Sequence, residues 1–214
     1  MSCTICEKRK EKRFCPAVHG RICPQCCGEQ REVTLDCPSE CVYLQQAREH
    51  EKPRAIEELD QAAMFPKVEI ADRFLYEQEH LIFGLSYALA KSARADRGIR
   101  DSDLIAALGA LARSYGTLTS SGLVYEATVT NLAHQAIASE VQKMVKEYRE
   151  AEQKHMGYSK LRDADVLKAL VFLLRMGTMR TSGRPKSRAF IDFLYRQFPE
   201  RESAVVTADE GSRM

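Results

Sequence analysis

All eight cysteines of this 214-residue chain fall within its first 41 positions, at 3, 6, 15, 23, 26, 27, 37 and 41. A stretch that short cannot bury enough apolar surface to fold unaided, and needs a metal or disulfides to hold it. The chain therefore divides into a stapled module, 1–41, and a body that must fold by ordinary burial.

Disulfides belong to an oxidising compartment. The opening residues, Met-Ser-Cys-Thr-Ile-Cys-Glu-Lys-Arg-Lys, contain no apolar stretch of the kind a secretory signal requires, and no membrane-length apolar run follows. The expectation is a cytoplasmic protein with no membrane segment, whose thiols are free to bind metal. A mature chain already freed of a signal would reopen the disulfide alternative.

Zinc takes four soft or borderline ligands in a tetrahedron, and a Cys-x2-Cys step sets two thiolates on one turn of backbone at a suitable separation. Cys3-Thr-Ile-Cys6 is one such step and Cys23-Pro-Gln-Cys26 a second, with Cys27 offering Cys-x3-Cys instead. Cys37-Pro-Ser-Glu-Cys41 spaces two ligands by one helical turn, with Ser39 placed as a cap. Cys15-Pro-Ala-Val-His19 supplies a fourth pair if the histidine is counted. Four pairs fill two tetrahedral sites and leave one cysteine over, so two zinc ions per chain are expected. With every position taken by protein, such sites are structural rather than catalytic.

The order of these pairs resembles the MYND and HIT families of small cross-braced zinc fingers. The resemblance covers residues 3–41 only, and it implies that Cys3, Cys6, Cys23 and Cys27 share one zinc while Cys15, His19, Cys37 and Cys41 share another. In those families the histidine usually sits in the closing pair, whereas here it lies in the second. Two alternatives stay open: a single zinc held as a plain ribbon by Cys3, Cys6, Cys23 and Cys26, or consecutive pairs sharing each ion. The ferredoxin run of cysteines is absent, which argues against an iron–sulfur cluster.

Beyond the module the pattern is helical, so the fold class is mainly α: a small zinc-stabilised module followed by an all-α bundle of about five helices. Residues 42–65 are charged and weakly amphipathic, a connecting helix or linker that Pro53 divides. The bundle occupies 66–198. Its first helix is predicted to open at Pro66, with Ala71, Phe74, Leu75, Gln78, Leu81, Ile82, Leu85 and Leu89 on one face, and to end near Gly98. The next is capped at Asp101 or Ser102, presents Leu104, Ile105, Leu108, Leu111, Ala112 and Tyr115, and stops at Gly116. Residues 117–130 are rich in β-branched side chains, but with no strand to pair with they read as a loop feeding a long helix through Ala133, Ile137, Val141, Met144 and Tyr148. A helix capped by Asp163 is apolar nearly all round and hence central; a last one spans about Lys186 to Phe198, and 199–214 is a polar tail.

Two segments outside the module invite function. Residues 175–188 concentrate basic side chains without acids, among them Arg180, Arg184, Lys186 and Arg188, in a connection able to grip phosphate. Their simpler reading is a solvated loop whose charge complements a helix C-terminus. Glu77-Gln-Glu-His80 has the spacing used by di-iron bundles, but its nearest counterpart, Asn131-Leu-Ala-His134, lacks the carboxylate. His80 and His134 therefore read as ordinary polar or interhelix hydrogen-bonding residues. No nucleophile elbow, phosphate loop or His-Glu-x-x-His appears.

The formal net charge of +2, with seven basic residues against six acids in 1–41, makes no case for a polyanion partner of the module. The expectation is a non-enzymatic adaptor or scaffold whose zinc module mediates protein–protein interaction, with self-association by the bundle a further use. The alternatives are a nucleic-acid-associated regulator acting through 175–188 and an enzyme with an unrecognised site in the bundle.

Overall fold

The computed structural model describes residues 1–51, 60, 62–123 and 131–199. It is mainly helical, with the cysteine-rich segment preceding a helical bundle. The module contains a short antiparallel hairpin, β1 (Arg13–Cys15) and β2 (Gly20–Ile22), closed by a 3-10 turn at Pro16–Val18, and then helix α1 (Pro24–Gln30). The hairpin lies over the Cys3–Cys6 turn: Thr4 donates to the Arg21 carbonyl from both its amide, at 3.0 Å, and its hydroxyl, at 2.8 Å. Gly20 allows this approach, because a Cβ there would stand 2.9 Å from Thr4 Oγ1. The sequence pattern did not flag the hairpin, whose strands are three residues each.

Helix α2 (Val42–His50) follows directly from Cys41. Pro53 and its expected break lie outside the described residues, as do most of the β-branched run before Asn131 and the tail from residue 200.

The bundle comprises α3 (Asp72–Glu77), α4 (Glu79–Ala95), α5 (Asp101–Ser121), α6 (Leu132–Met156), α7 (Asp163–Arg180) and α8 (Ala189–Gln197). Helix α5 packs on α6 and α7, while α4 packs on α6, α7 and α8. Their shared core includes Leu85, Leu89, Leu104, Leu108, Ile137, Leu170, Leu173 and Phe190, all fully buried. The long helices fall where apolar residues recur at three- and four-residue steps, and α7 is central as its nearly all-round apolarity requires.

Three helix boundaries differ from the sequence expectation, and the single first helix expected between Pro66 and Gly98 is divided at Gln78, where the backbone leaves helical geometry, into α3 and α4. The first bundle helix starts at Asp72 instead of Pro66, because Arg175 takes the carbonyls of Met64, Phe65 and Val68 as hydrogen-bond acceptors and holds that stretch out of helical geometry. Helix α5 runs through Gly116 and stops at Gly122, which has the left-handed φ of 71° that glycine tolerates. Helix α7 extends through Arg180, into what the composition suggested was a loop. Gly177 lets Phe190 pack against this extension; a Cβ at 177 would lie 2.9 Å from that ring.

The module is fastened to the bundle through polar groups. Glu32 is buried, with a left-handed φ of 54°. Its carboxylate accepts from Arg48 at 2.8 Å and from the Ser182 hydroxyl at 2.9 Å, and its carbonyl accepts from the Lys186 amide at 2.8 Å. Arg48 also donates to Asp192 at 2.6 Å, and Asp192 accepts from the Ser39 hydroxyl at 2.6 Å. On the bundle side, buried Asp101 accepts from the Ser187 hydroxyl and from the first amides of α8, Phe190 and Ile191. Burial raises the Asp101 carboxyl above its ordinary range, opposed by those hydrogen bonds.

Candidate metal centre

Each half of the cysteine cluster has a local cause. Cys23 is the N-cap of α1: Pro24 takes the first helical turn, where its missing amide costs nothing, and the Cys23 sulfur accepts from the Cys26 amide at 3.4 Å. Cys3 heads a tight turn in which its carbonyl accepts from Glu7 at 2.8 Å, and the Cys23 amide donates to the Cys3 sulfur at 3.2 Å.

The result is a tetrad. The sulfurs of Cys3, Cys6, Cys23 and Cys26 all lie within 4.8 Å of one another, with Cys3, Cys23 and Cys26 buried. A tetrahedral zinc with bonds of about 2.3 Å places its sulfurs about 3.8 Å apart. The donor set and its spacing fit such an ion, and four protein thiolates would leave no position for water or substrate. All eight cysteines are free of disulfides.

The electrostatics point the same way. At Cys3, burial pushes the thiol up, but the amides of Cys6, Cys23 and Ile5 outweigh it and bring its pKa down to about 6. The Cys26 amide likewise lowers Cys23. Cys26 goes the other way, pushed up to about 12 by burial and then by the neighbouring sulfurs of Cys23, Cys6 and Cys3. Crowding of the four sulfurs disfavours ionising all of them together, and a divalent cation bound at the centre would supply the compensating charge. The Arg9 guanidinium, 3.9 Å from the sulfurs of both Cys23 and Cys26, offsets part of the rest.

This ligand set is that of the plain ribbon alternative, and it corrects the pairing implied by the cross-braced families at one position: Cys26, not Cys27, closes the tetrad. Successive residues on a helix point about 100° apart, so the two neighbours on α1 cannot face one centre. Cys27 turns away, and its sulfur lies 3.6 Å from Arg13 Nη1. It lines a separate cavity of about 10 Å³ together with Cys15, Cys37 and Cys41. His19, expected beside Cys15, is exposed, has a left-handed φ of 48° at the end of the 3-10 turn, and does not line that cavity.

The basic candidates lie elsewhere. Arg184 donates to the carbonyls of Gly28 and Arg31, at 3.2 and 2.7 Å, and Lys186 Nζ donates to Thr34 at 2.6 Å. Arg188 binds the carbonyls of Arg97 and Ile99 at 2.8 and 2.9 Å. Much of the segment thus serves as the seat of the module. Arg180 is exposed and stacks on Phe193 with its guanidinium carbon 3.7 Å from the ring centroid. His134 pairs with Asp103 at 2.9 Å between α6 and α5, as an interhelix link, and exposed His80 lies 3.8 Å from Glu79. Neither histidine lines the groove between α2 and α7–α8, where Arg48, Arg175, Arg180 and Arg196 gather.

No family model, curated protein or solved structure matches the chain. Among the described residues, no helix is long and apolar enough to cross a membrane.

Proposed function

We propose that this chain is a non-enzymatic zinc-binding adaptor of the cytoplasm, in which the tetrad of Cys3, Cys6, Cys23 and Cys26 holds structural zinc and the module so stiffened presents a surface to a protein partner. The observation that carries the reading is the cluster of four thiols, three of them buried, which would leave a bound ion no position at which to act on a substrate. Free thiols of this kind persist in a reducing compartment. The surface of the module and the adjoining start of α2 supports a protein partner: Phe14 and Val33 on the module and Val42 on α2 face solvent, while three of the basic groups offered for phosphate are bonded within the chain.

The test is co-purification from the native host with intact zinc-loaded protein, its metal measured in parallel. Val33→Asp with Val42→Asp is expected to keep zinc and helical content while partner capture falls at least tenfold. Capture that survives both this double substitution and chelation rejects the adaptor reading. Capture that instead disappears with nuclease, weakens steeply with salt and is flattened by Arg180→Ala transfers the function to nucleic acid.

A further inference from the structure

Four cysteines remain after the tetrad is assigned, and they are not scattered. Cys15 ends β1, Cys27 follows Cys26 on α1 about 100° further round the helix, Cys37 precedes α2 and Cys41 is the N-cap of α2. Chain segments far apart in sequence thus bring four thiols to the wall of one small cavity. Its volume of about 10 Å³ is close to that of a single water-sized sphere. Ile22, Leu35 and Leu44 contribute carbon to the wall, and Arg31, whose buried Nε has no hydrogen-bond partner among the described residues, also lines it.

Among the described residues only the first tetrad draws its sulfurs within 4.8 Å of one another, but the surroundings of the second group resemble it in burial and charge. Cys15 and Cys27 are buried, and Cys37 and Cys41 flank the turn that leads into α2, with the Cys41 amide donating to the Pro38 carbonyl at 3.0 Å. Arg13 stands 3.6 Å from the Cys27 sulfur as Arg9 stands by Cys23 and Cys26, and its guanidinium is fixed by stacking on Tyr43 at 4.5 Å. One cation beside each group of four sulfurs is what two tetrathiolate ions, each carrying excess negative charge, require.

We propose that Cys15, Cys27, Cys37 and Cys41 form a second tetrathiolate site that takes zinc or a similar thiophilic divalent ion, and that His19 has no part in it. All eight cysteines are then ligands and none is spare. The two sites interleave along the chain, with adjacent Cys26 and Cys27 serving different ions, so each ion braces the segment that carries the other. This inference rests on the module being metal-stabilised, as proposed above, but not on what it binds.

The experiment is elemental analysis of the full chain, expressed with zinc and purified under reducing conditions. Two zinc ions per chain are expected for the unmodified protein and for His19→Ala, and one for Cys27→Ala. If a cysteine variant fails to fold, the unmodified protein still decides. Native alkylation followed by peptide mapping should find all eight thiols protected while zinc is bound. One zinc per chain with Cys15, Cys27, Cys37 and Cys41 modified and the other four protected overturns the second site and leaves the first intact. Loss of an ion from His19→Ala, or disulfides among these four cysteines, also overturns it. No zinc at all rejects both sites.

Discussion

The two halves of this molecule reach order by opposite routes. In the bundle a continuous apolar cluster running from Phe74 to Phe198 holds the helices, and the sequence announces it by periodicity. In the module the buried apolar residues besides cysteine are Ile22 and Leu35, too little to offset the entropy of ordering the segment. Where burial is scarce, side-chain chemistry must replace it, and the module supplies sulfur. The joint between them belongs to neither scheme: it is a set of charges, buried Glu32 and Asp192 bridged by the partly buried Arg48, with hydroxyls and carbonyls around them.

Stripping the metal should separate the halves most sharply. Structural zinc in small modules carries about 10–16 kcal/mol of apparent binding free energy that is also folding free energy. A strong chelator should make residues 1–41 susceptible to proteolysis while circular dichroism retains most of the helical signal; equal loss of both would show that the bundle depends on the module.

At the joint, Arg48→Ala leaves the Glu32 and Asp192 carboxylates buried without their shared cation, at an expected cost of about 3–5 kcal/mol. Urea denaturation reads this, and a change below about 1 kcal/mol would mean the joint is solvated rather than buried. In the bundle, Leu170→Ala should cost about 2–5 kcal/mol by the cavity it opens, with zinc content unchanged. A fall in zinc for this variant would refute the independence of the two halves.

The smallest expected effect is one of pH. Because burial raises the Asp101 pKa in the folded chain, folding favours its neutral form relative to the unfolded chain. Its contribution to stability is full below the ordinary carboxyl range and is lost as pH rises through the elevated value. Asp101→Asn removes that titration, so the stability of the wild type relative to the variant should shrink as pH climbs from acid. A flat difference would show that the hydrogen bonds from Ser187, Phe190 and Ile191 cancel the cost of burial.

What could be read from the chain follows the same division. Helices α4 to α8 were legible because their apolar stripes are long. The staple was legible because sulfur is rare and its spacing is chemical. The bonds of Arg175 were not legible because its three carbonyl acceptors lie more than 100 residues away, nor those of Lys186 and Arg184, whose partners are backbone oxygens of the module. No local pattern encodes such contacts. The division of labour between Cys26 and Cys27 left a trace that was available: proline after Cys23 starts a helix there, and a ligand three residues on is the one that stays beside the first.

The hub at Glu32 has a practical consequence for anyone who cuts this protein. A fragment beginning after the cysteines, at residue 63 for instance, loses Glu32, Ser39 and Arg48 at a stroke, so Asp192 is stripped of its cation and Arg184, Lys186 and Ser182 of their acceptors. The end of α7 and the start of α8 would then meet solvent as an unmatched polar scar. Whatever sticks to such a fragment reports on the wound, and the intact chain is the smallest piece whose binding can be trusted.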